Sequence, residues 1–333
     1  MDCFYKQFLG KVHSPYYALI LFCIFKQAML SKLIKFIFFG NYFIGIIALA
    51  LTLETACQLR IPFCSWPFYS LLFCGTIMYY TYAYIGWGKP GKPTNPRTKW
   101  YIEHGSFVLY SQWTLLIACI SLGCLLLIKN YQGLLHRPWQ FWLVPIITVF
   151  AAIAYYGLLP KSFIHFNLRN TGWLKAFVIG FVWACTVSLL PIAMLQLERS
   201  EFSINPVLVI WFFVKNWMFC TVNAIMFDLK DYADDSNRQL KTFVVRFGLR
   251  KTIFYILVPL LMIGMFSVLL FTHFRNFTIV PVLINLVPFV LLLLVAYALQ
   301  KRKAILYYLI VIDGLLLIKA FCGIVAMHFV PSQ

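Results

Sequence analysis

The chain has few charged side chains, and the acidic ones are the scarcest. Only 10 of its 333 residues are Asp or Glu, and charged residues of both signs make up 11% of the sequence. A typical soluble domain has about 25% charged and about 45–50% apolar residues, whereas this chain is 62% hydrophobic with a mean hydropathy of +0.83. The composition therefore excludes an ordinary soluble domain and predicts a protein that crosses a membrane several times.

Several common sequence signals are also missing. The ten cysteines form no CxxC pair with metal spacing and lie mostly in apolar stretches, so they are interpreted as small membrane-embedded hydrophobic residues. The sequence contains no HExxH, P-loop or GxGxxG motif and no Ser/His/Asp set. It also has no Ser/Gly-rich linker or low-complexity tract that would separate domains. One membrane-embedded bundle is enough to account for the length.

Long apolar segments set the expected fold. Crossing about 30 Å of hydrocarbon takes about 20 apolar residues, and nine segments meet this requirement, which predicts an all-α polytopic membrane bundle of nine transmembrane helices. They are 37–58, 66–86, 107–128, 140–159, 176–196, 206–227, 252–272, 277–299 and 305–329. A shorter apolar run, Tyr16–Phe25, is expected to form an interfacial helix. It belongs to a basic N-terminal segment, residues 1–35, ahead of a transmembrane domain, residues 36–333.

The positive charges indicate the orientation in the membrane. With the N-terminus in the cytoplasm, 21 of the 28 Lys and Arg residues fall in cytoplasmic segments and five fall outside, which is the usual bias of membrane proteins. This distribution explains the net charge of +18 without nucleic acid, and it predicts contact with membrane lipids or an anionic substrate. We expect an integral protein of a bacterial inner membrane with a cytoplasmic N-terminus.

The acidic residues are concentrated where the sixth predicted span ends. The segment Asp228–Asp235 holds four of the ten acidic side chains. If the helix continues through it, Asp228, Asp231 and Asp235 are spaced i, i+3, i+7 and fall within an arc of about 60°, from which Asp234 points away. Such carboxylates suit Mg²⁺, which typically takes one or two of them together with substrate phosphates. The alternative is a solvated acidic helix end balanced by neighbouring basic residues.

The residues around this cluster resemble a known motif. Met226–Asp235 followed by Leu240–Gly248 is similar to the second aspartate motif of the UbiA-type intramembrane prenyltransferases, with Phe243 and Val244 in place of the usual Leu and Pro. Tyr156–Lys161 resembles the Tyr-x-Leu-Pro-Lys loop that follows the fourth span in that family. Nine helices are also the family's arrangement, so the resemblance covers nearly all of the chain from the first predicted span onward.

The resemblance implies a chemistry and a set of site residues. In that family, Mg²⁺ ions held by two Asp-rich loops grip a polyprenyl diphosphate, ionisation leaves an allylic carbocation, and an aromatic or other lipophilic acceptor attacks it. Asp228, Asp231 and Asp235 would then be the catalytic residues and the metal ligands. The residues expected to bind the substrate are Asn41, Arg97, Lys161, Asn223 and Lys241.

The family's first aspartate motif has no counterpart in this chain. No Asp or Glu occurs between Glu54 and Glu103, and only residues 95–97 echo the end of that motif. Three interpretations stay open: the protein is non-catalytic and binds a lipid, basic residues replace the first Mg²⁺, or the substrate carries fewer phosphates. The basic residues concerned, which are equally explained as ordinary cytoplasmic charges, are Lys89, Lys92 and Arg97.

Charged and polar residues within the spans need an explanation of their own. Glu54 lies near the outer end of the first span and is expected to reach the membrane surface. Lys215, in the sixth span, is expected to pair with Asp313, in the ninth, as a structural bridge. Asn41 matches a polar cavity position of the family and is also explained as a helix-end asparagine.

Three classes of function follow from these observations. The first is a prenyltransferase with Mg²⁺ as cofactor, as a single ion if only the second motif is retained, and a polyprenyl diphosphate or related isoprenoid lipid as substrate. The second is a catalytically inactive UbiA-like lipid-binding membrane protein. The third is a secondary transporter, which would show inverted repeats and paired broken helices, and no clear repeat is visible in the sequence.

Overall fold

A computed structural model describes residues 15–85, 96–156, 172–199, 202–237, 242–301 and 303–330, with backbone alone at 15–25, 28, 156, 231 and 233–237. All regular structure in these ranges is helical. The main helices are α1 (Pro15–Phe39), α2 (Tyr42–Leu59), α3 (Trp66–Tyr82), α4 (Pro96–Glu103), α5 (Gly105–Lys129), α6 (Leu143–Tyr156), α7 (Leu174–Glu198), α8 (Pro206–Asn237), α9 (Leu249–Phe274), α10 (Ile279–Ala298) and α11 (Ile305–His328).

The all-helical membrane fold is confirmed. In the described ranges seven helices, namely α2, α5, α7, α8, α9, α10 and α11, are long and apolar enough to cross a membrane. The other two predicted spans fall on shorter helices, because α3 has 17 residues and α6 has 14, the latter preceded by a 3₁₀ turn at Trp139–Trp142. The count of nine membrane-crossing helices therefore stays a prediction.

Two helices run past the limits expected from the sequence. The apolar run near the N-terminus belongs to α1, a 25-residue helix that ends at Phe39, beyond the boundary placed after residue 35. The second is α8, a single 32-residue helix that includes the whole aspartate cluster. The condition for the i, i+3, i+7 geometry of that cluster, a helix that continues through it, is therefore met.

The helices pack into a bundle around α2, α7, α8 and α11. Helix α8 lies along α7, α2 lies along α11, and α11 also contacts α10. Side chains such as Ile47 on α2, Ile225 on α8 and Leu257 on α9 are fully buried in one shared core. Helix α5 contacts mainly α3, and only 11% of its most apolar window is buried inside the protein, so most of its surface is left for lipid.

Helix α7 contains a π-helical turn at Cys185–Leu189, just before Pro191. Proline has no N–H, so Pro191 cannot donate to the carbonyl of Val187 one turn earlier. The hydroxyl of Thr55 on α2 donates to that carbonyl instead, at 2.7 Å. Neighbouring side chains commonly satisfy backbone groups freed in this way inside membranes, and here the bond joins α2 to α7.

Candidate functional site

A polar cavity of about 240 Å³ lies where several helix ends meet. Helices α2, α7 and α11 begin beside it, α3 ends beside it, and the stretch of α8 from Cys220 to Lys230 forms one wall. Among the described residues, its ionisable lining consists of three basic and two acidic side chains, which are Arg97, Lys175, Lys230, Asp228 and Asp313. Five ionisable side chains that line one cavity in an apolar bundle are the expected mark of a functional site.

Asp228 is the acidic side chain of the predicted motif that the structure describes in full. It is 2% exposed, and its Oδ1 accepts a hydrogen bond from Lys175 Nζ at 2.8 Å. Lys175 begins α7 and Asp228 lies on α8, so the ion pair joins the two helices that pack most extensively. An opposite charge at this distance offsets part of the cost of burying the carboxylate.

Arg97 is held rigidly in the lining of the cavity. Its Nη2 donates to the carbonyl of Phe39 at 3.2 Å and to Asn41 Oδ1 at 2.5 Å. Its guanidinium carbon also lies 4.5 Å from the centre of the Tyr84 ring. Guanidinium groups stack on aromatic faces and form planar, fixed hydrogen bonds, so the position of Arg97 is set before any ligand arrives.

Asn41 is the centre of the network that fixes Arg97. Its Nδ2 donates to the hydroxyl oxygens of Thr81 and Tyr101, at 3.0 and 3.2 Å. Tyr101 in turn donates to the Phe39 carbonyl at 2.8 Å. Burial raises the pKa of Tyr101, so its phenol remains a neutral donor at physiological pH. Asn41 is thus a cavity residue with a defined role in orienting Arg97, in addition to starting α2.

Asn223 lies on α8, five residues before Asp228, and also lines the cavity. It is 4% exposed, and within the described ranges its side-chain Oδ1 has no hydrogen-bond partner. Buried polar groups are normally satisfied, and each exception calls for an explanation. A buried amide aimed at a cavity is explained by a polar ligand that completes its hydrogen bonding.

A second, mostly apolar cavity of about 500 Å³ adjoins the polar one. It lies between α3, α6 and α7, and its lining includes Leu71, Met78 and Val182. Four residues line both cavities, three of them aromatic: Tyr80, Tyr155, Ile179 and Trp183. At this junction Trp183 Nε1 donates to the hydroxyl of Tyr80 at 2.5 Å. The two cavities together form a polar chamber that continues into an apolar one.

The structure brings together four of the residues predicted from the sequence: Asn41, Arg97, Asn223 and Asp228. Asp231 and Asp235 belong to the helical backbone of α8, and their side chains are not described. Lys161 and Lys241, and the loop residues Lys89 and Lys92, lie outside the described residues. Among described side chains no group of three His, Cys, Asp or Glu residues is close enough to hold a metal ion.

Sequence reasoning missed two cavity residues and gave Lys230 a different role. In the sequence, Lys175 is one of the 21 basic residues assigned to the cytoplasmic side, and Lys230 is one of the basic residues that balance the acidic helix end in the alternative interpretation. Asp313 was expected to form a structural pair, although an acidic residue inside a span indicates a functional site by default. Applying this rule to Asp313 would have identified it as a candidate site residue.

The expected pairing of Lys215 with Asp313 is wrong, and so is the expected exposure of Glu54. Glu54 is 1% exposed and accepts a hydrogen bond from Lys319 Nζ at 2.5 Å, with Lys215 Nζ 3.6 Å from its other oxygen. A Cβ atom at Gly323 would come within 2.7 Å of Glu54 Oε1, so the glycine leaves room for the carboxylate. The carboxylate turns inward because two buried lysines neutralise it there.

These features define an integral membrane protein whose helical bundle encloses a charged chamber joined to an apolar one. A family model, the UbiA prenyltransferase family, matches residues 93–305. This match covers more than half of the chain and includes the aspartate cluster, so the chain belongs to the UbiA prenyltransferase family. No curated protein and no solved structure gives a significant match.

Proposed function

We propose that this protein is an integral-membrane prenyltransferase that transfers a prenyl group from a polyprenyl diphosphate to an aromatic or other lipophilic acceptor. The observation that carries the proposal is the pair of adjoining cavities, one lined by Arg97, Lys175 and Lys230 and the other by apolar side chains. A prenyl diphosphate has the same division, an anionic head on an apolar chain. The membrane fold and the family support this class of function.

In the proposed complex, the diphosphate lies in the polar cavity and the prenyl chain in the apolar one. The bond between the first prenyl carbon and the diphosphate oxygen breaks, and its electron pair leaves with the diphosphate. Arg97, Lys175 and Lys230 stabilise the charge on the leaving group. The resulting allylic cation lies at the junction, where the faces of Tyr80 and Trp183 stabilise it. The acceptor then bonds to this carbon and releases a proton.

The proposed metal ligands are Asp228, Asp231 and Asp235, which occupy positions i, i+3 and i+7 of one continuous helix. Carboxylate oxygens at such a spacing fit Mg²⁺, which is commonly bound by one or two carboxylates and substrate phosphates. When bound, the ion neutralises negative charge on the diphosphate. In this proposal the ligand-bearing end of α8 faces the cytoplasm of a bacterial inner membrane, and so does the N-terminus.

The test is prenyl transfer by the purified full-length protein. Incubation with Mg²⁺, prenyl diphosphates of graded chain length and an aromatic acceptor should release diphosphate and yield a prenylated product. Asp231→Ala should remove turnover because it takes away a metal ligand, whereas Asp234→Ala, off the proposed ligand face, should retain it. Turnover that is unchanged in Asp231→Ala would refute the assignment of the site.

A second candidate function is a catalytically inactive lipid-binding protein on the same fold. It is favoured by the missing first aspartate motif, since no Asp or Glu occurs between Glu54 and Glu103. This candidate predicts that the protein binds a polyprenyl diphosphate and releases no diphosphate under any metal condition. The same assay, combined with a binding measurement, separates the two functions.

A further inference from the structure

We propose that the Arg97 guanidinium occupies the role of the first metal ion, so that this protein binds a diphosphate between one divalent cation and one fixed protein cation. The inference rests on the proposed function, because it takes the polar cavity as a diphosphate site. It goes beyond that function by assigning the chain a metal stoichiometry of one and by identifying the residue that makes a second ion unnecessary.

The first observation is that Arg97 is a buried cation that forms no ion pair with a described carboxylate, although Asp313 lines the same cavity. It is 7% exposed, and among the described residues no carboxylate lies within ion-pair distance of it. Its Nε is buried and has no hydrogen-bond partner in the same ranges. A buried charge without a partner is costly. The cavity that Arg97 lines is where an anion would complete its bonding.

The second observation is the support that holds Arg97 in place. The Phe39 carbonyl, the Asn41 side chain and the face of Tyr84 all contact the guanidinium. These contacts involve Nη2 and one face of the group, and Nε has no hydrogen-bond partner among the described residues. A guanidinium presents its donors in a rigid fork that matches phosphate oxygens. Because Arg97 is held in place, it is suited to bind a phosphate at a fixed position.

The third observation is the chemistry of the surrounding chain. The segment that carries Arg97 has no acidic residue between Glu54 and Glu103, so it supplies no carboxylate for a metal. Glu54 is committed to two buried lysines, and Glu103 lies in an exposed pair with Lys99. Asn223 lines the same cavity, and its buried amide oxygen has no hydrogen-bond partner among the described residues. The cavity therefore has oxygen ligands from α8 and a guanidinium from α4 in its lining.

The direct test counts divalent ions. The full-length protein, purified in detergent, is titrated with Mn²⁺ in the presence of inorganic pyrophosphate, and bound Mn²⁺ is measured by electron paramagnetic resonance. We expect one Mn²⁺ per chain. Two bound ions would overturn the inference, because a second metal would then hold the place assigned to Arg97, and the absence of any bound ion would overturn it as well.

The second test measures pyrophosphate affinity in EDTA. Arg97→Gln should weaken binding about tenfold to a hundredfold, the usual loss for hydrogen bonds to a charged group. Arg97→Lys should recover part of the affinity, since it restores the charge without the fork. Lys99→Gln, on the same helix and exposed to solvent, should bind as the wild type does. Equal affinities for Arg97→Gln and Lys99→Gln would overturn the inference.

The outcomes separate this inference from the proposed function. If one ion binds and affinity depends on Arg97 while no prenyl transfer occurs, the inference stands and the transferase function fails. If transfer occurs with two bound ions, the function stands and the inference fails. If Arg97→Gln does not fold, the number of Mn²⁺ ions bound by the wild type and the pyrophosphate affinity of Arg97→Lys still test the inference.

Discussion

At the scale of single residues, the site depends on a polar network that surrounds one arginine. Asn41 adopts a left-handed backbone conformation with φ of 65°, which asparagine tolerates better than most residues. This places its amide between α2 and α4, where it accepts from Arg97 and donates to Thr81 and Tyr101. The function of Asn41 is therefore to orient another residue that faces the cavity.

Tyr101→Phe tests this network with a minimal change. The substitution removes one hydroxyl that donates to the Phe39 carbonyl and accepts from Asn41, and the ring can keep its stacking on Tyr84 at 4.6 Å. We expect a loss of about 1–3 kcal/mol in the free energy of unfolding and a weaker pyrophosphate affinity, by less than for Arg97→Gln. Unfolding in mixed micelles and pyrophosphate titration measure the two effects.

The control is Tyr110→Phe, since Tyr110 is 73% exposed on α5. It should change neither quantity. A Tyr101→Phe protein with wild-type pyrophosphate affinity would show that the network does not position Arg97.

At the scale of helices, the close contact of α7 with α8 sets the width of the polar cavity. A Cβ atom at Gly180 on α7 would lie 2.8 Å from the Thr221 backbone nitrogen and 2.9 Å from the Trp217 carbonyl oxygen. Small residues at such points let helix backbones approach each other in membranes. The same contact brings Lys175 on α7 within reach of Asp228 on α8.

Gly180→Ala is expected to push the two helices apart. Overpacking at this contact should cost about 1–3 kcal/mol of stability and slow prenyl transfer, because the Lys175–Asp228 pair is displaced. Gly123→Ala on α5 is the matched control, since a Cβ there meets nothing within 4 Å, and it should be neutral or slightly stabilising. If the two alanine variants are equally stable, the contact at Gly180 is not tight.

At the scale of the whole molecule, a buried ionic cluster joins helices that are far apart in sequence. Glu54 on α2 binds Lys319 on α11 and lies close to Lys215 on α8. One turn further along α2, Gln58 donates to Asn285 on α10 and to the Gly323 carbonyl on α11. Polar bonds of this kind hold bundles together where lipid gives no hydrophobic force between helices.

Glu54→Gln should destabilise the bundle by about 3–5 kcal/mol, because it leaves two buried lysines without a countercharge. The double change Glu54→Gln with Lys319→Met should recover part of this loss, since one of the two charges is gone. Glu103→Gln, which breaks an exposed pair, should cost under about 1 kcal/mol. Unfolding in mixed micelles measures all three, and equal effects of Glu54→Gln and Glu103→Gln would rule out a stabilising cluster.

The residues that sequence reasoning selected and that line the cavity are those whose signal is local in the chain. Asn223 and Asp228 lie within one helical stretch, and Arg97 and Asn41 match single positions of a family pattern. The contact of Lys175 with Asp228 was not predicted, because Lys175 lies 53 residues from Asp228 in a segment with no motif of its own. The wrong pairing predicted for Lys215 has the same cause. Several spans carry a charged residue that could pair with it, and only the packing of the helices shows which one lies close.

The sequence by itself determined the class of the protein: a helical membrane bundle of the UbiA family, with its aspartates at the end of one helix. It could do so because hydrophobicity adds up along a segment and a motif is read along the chain. Only the tertiary structure decided which charges meet. Each helix can rotate about its axis without changing its composition, and packing across the bundle selects the rotation that turns Arg97 and Asp313 toward Asp228 and turns Glu54 toward Lys319.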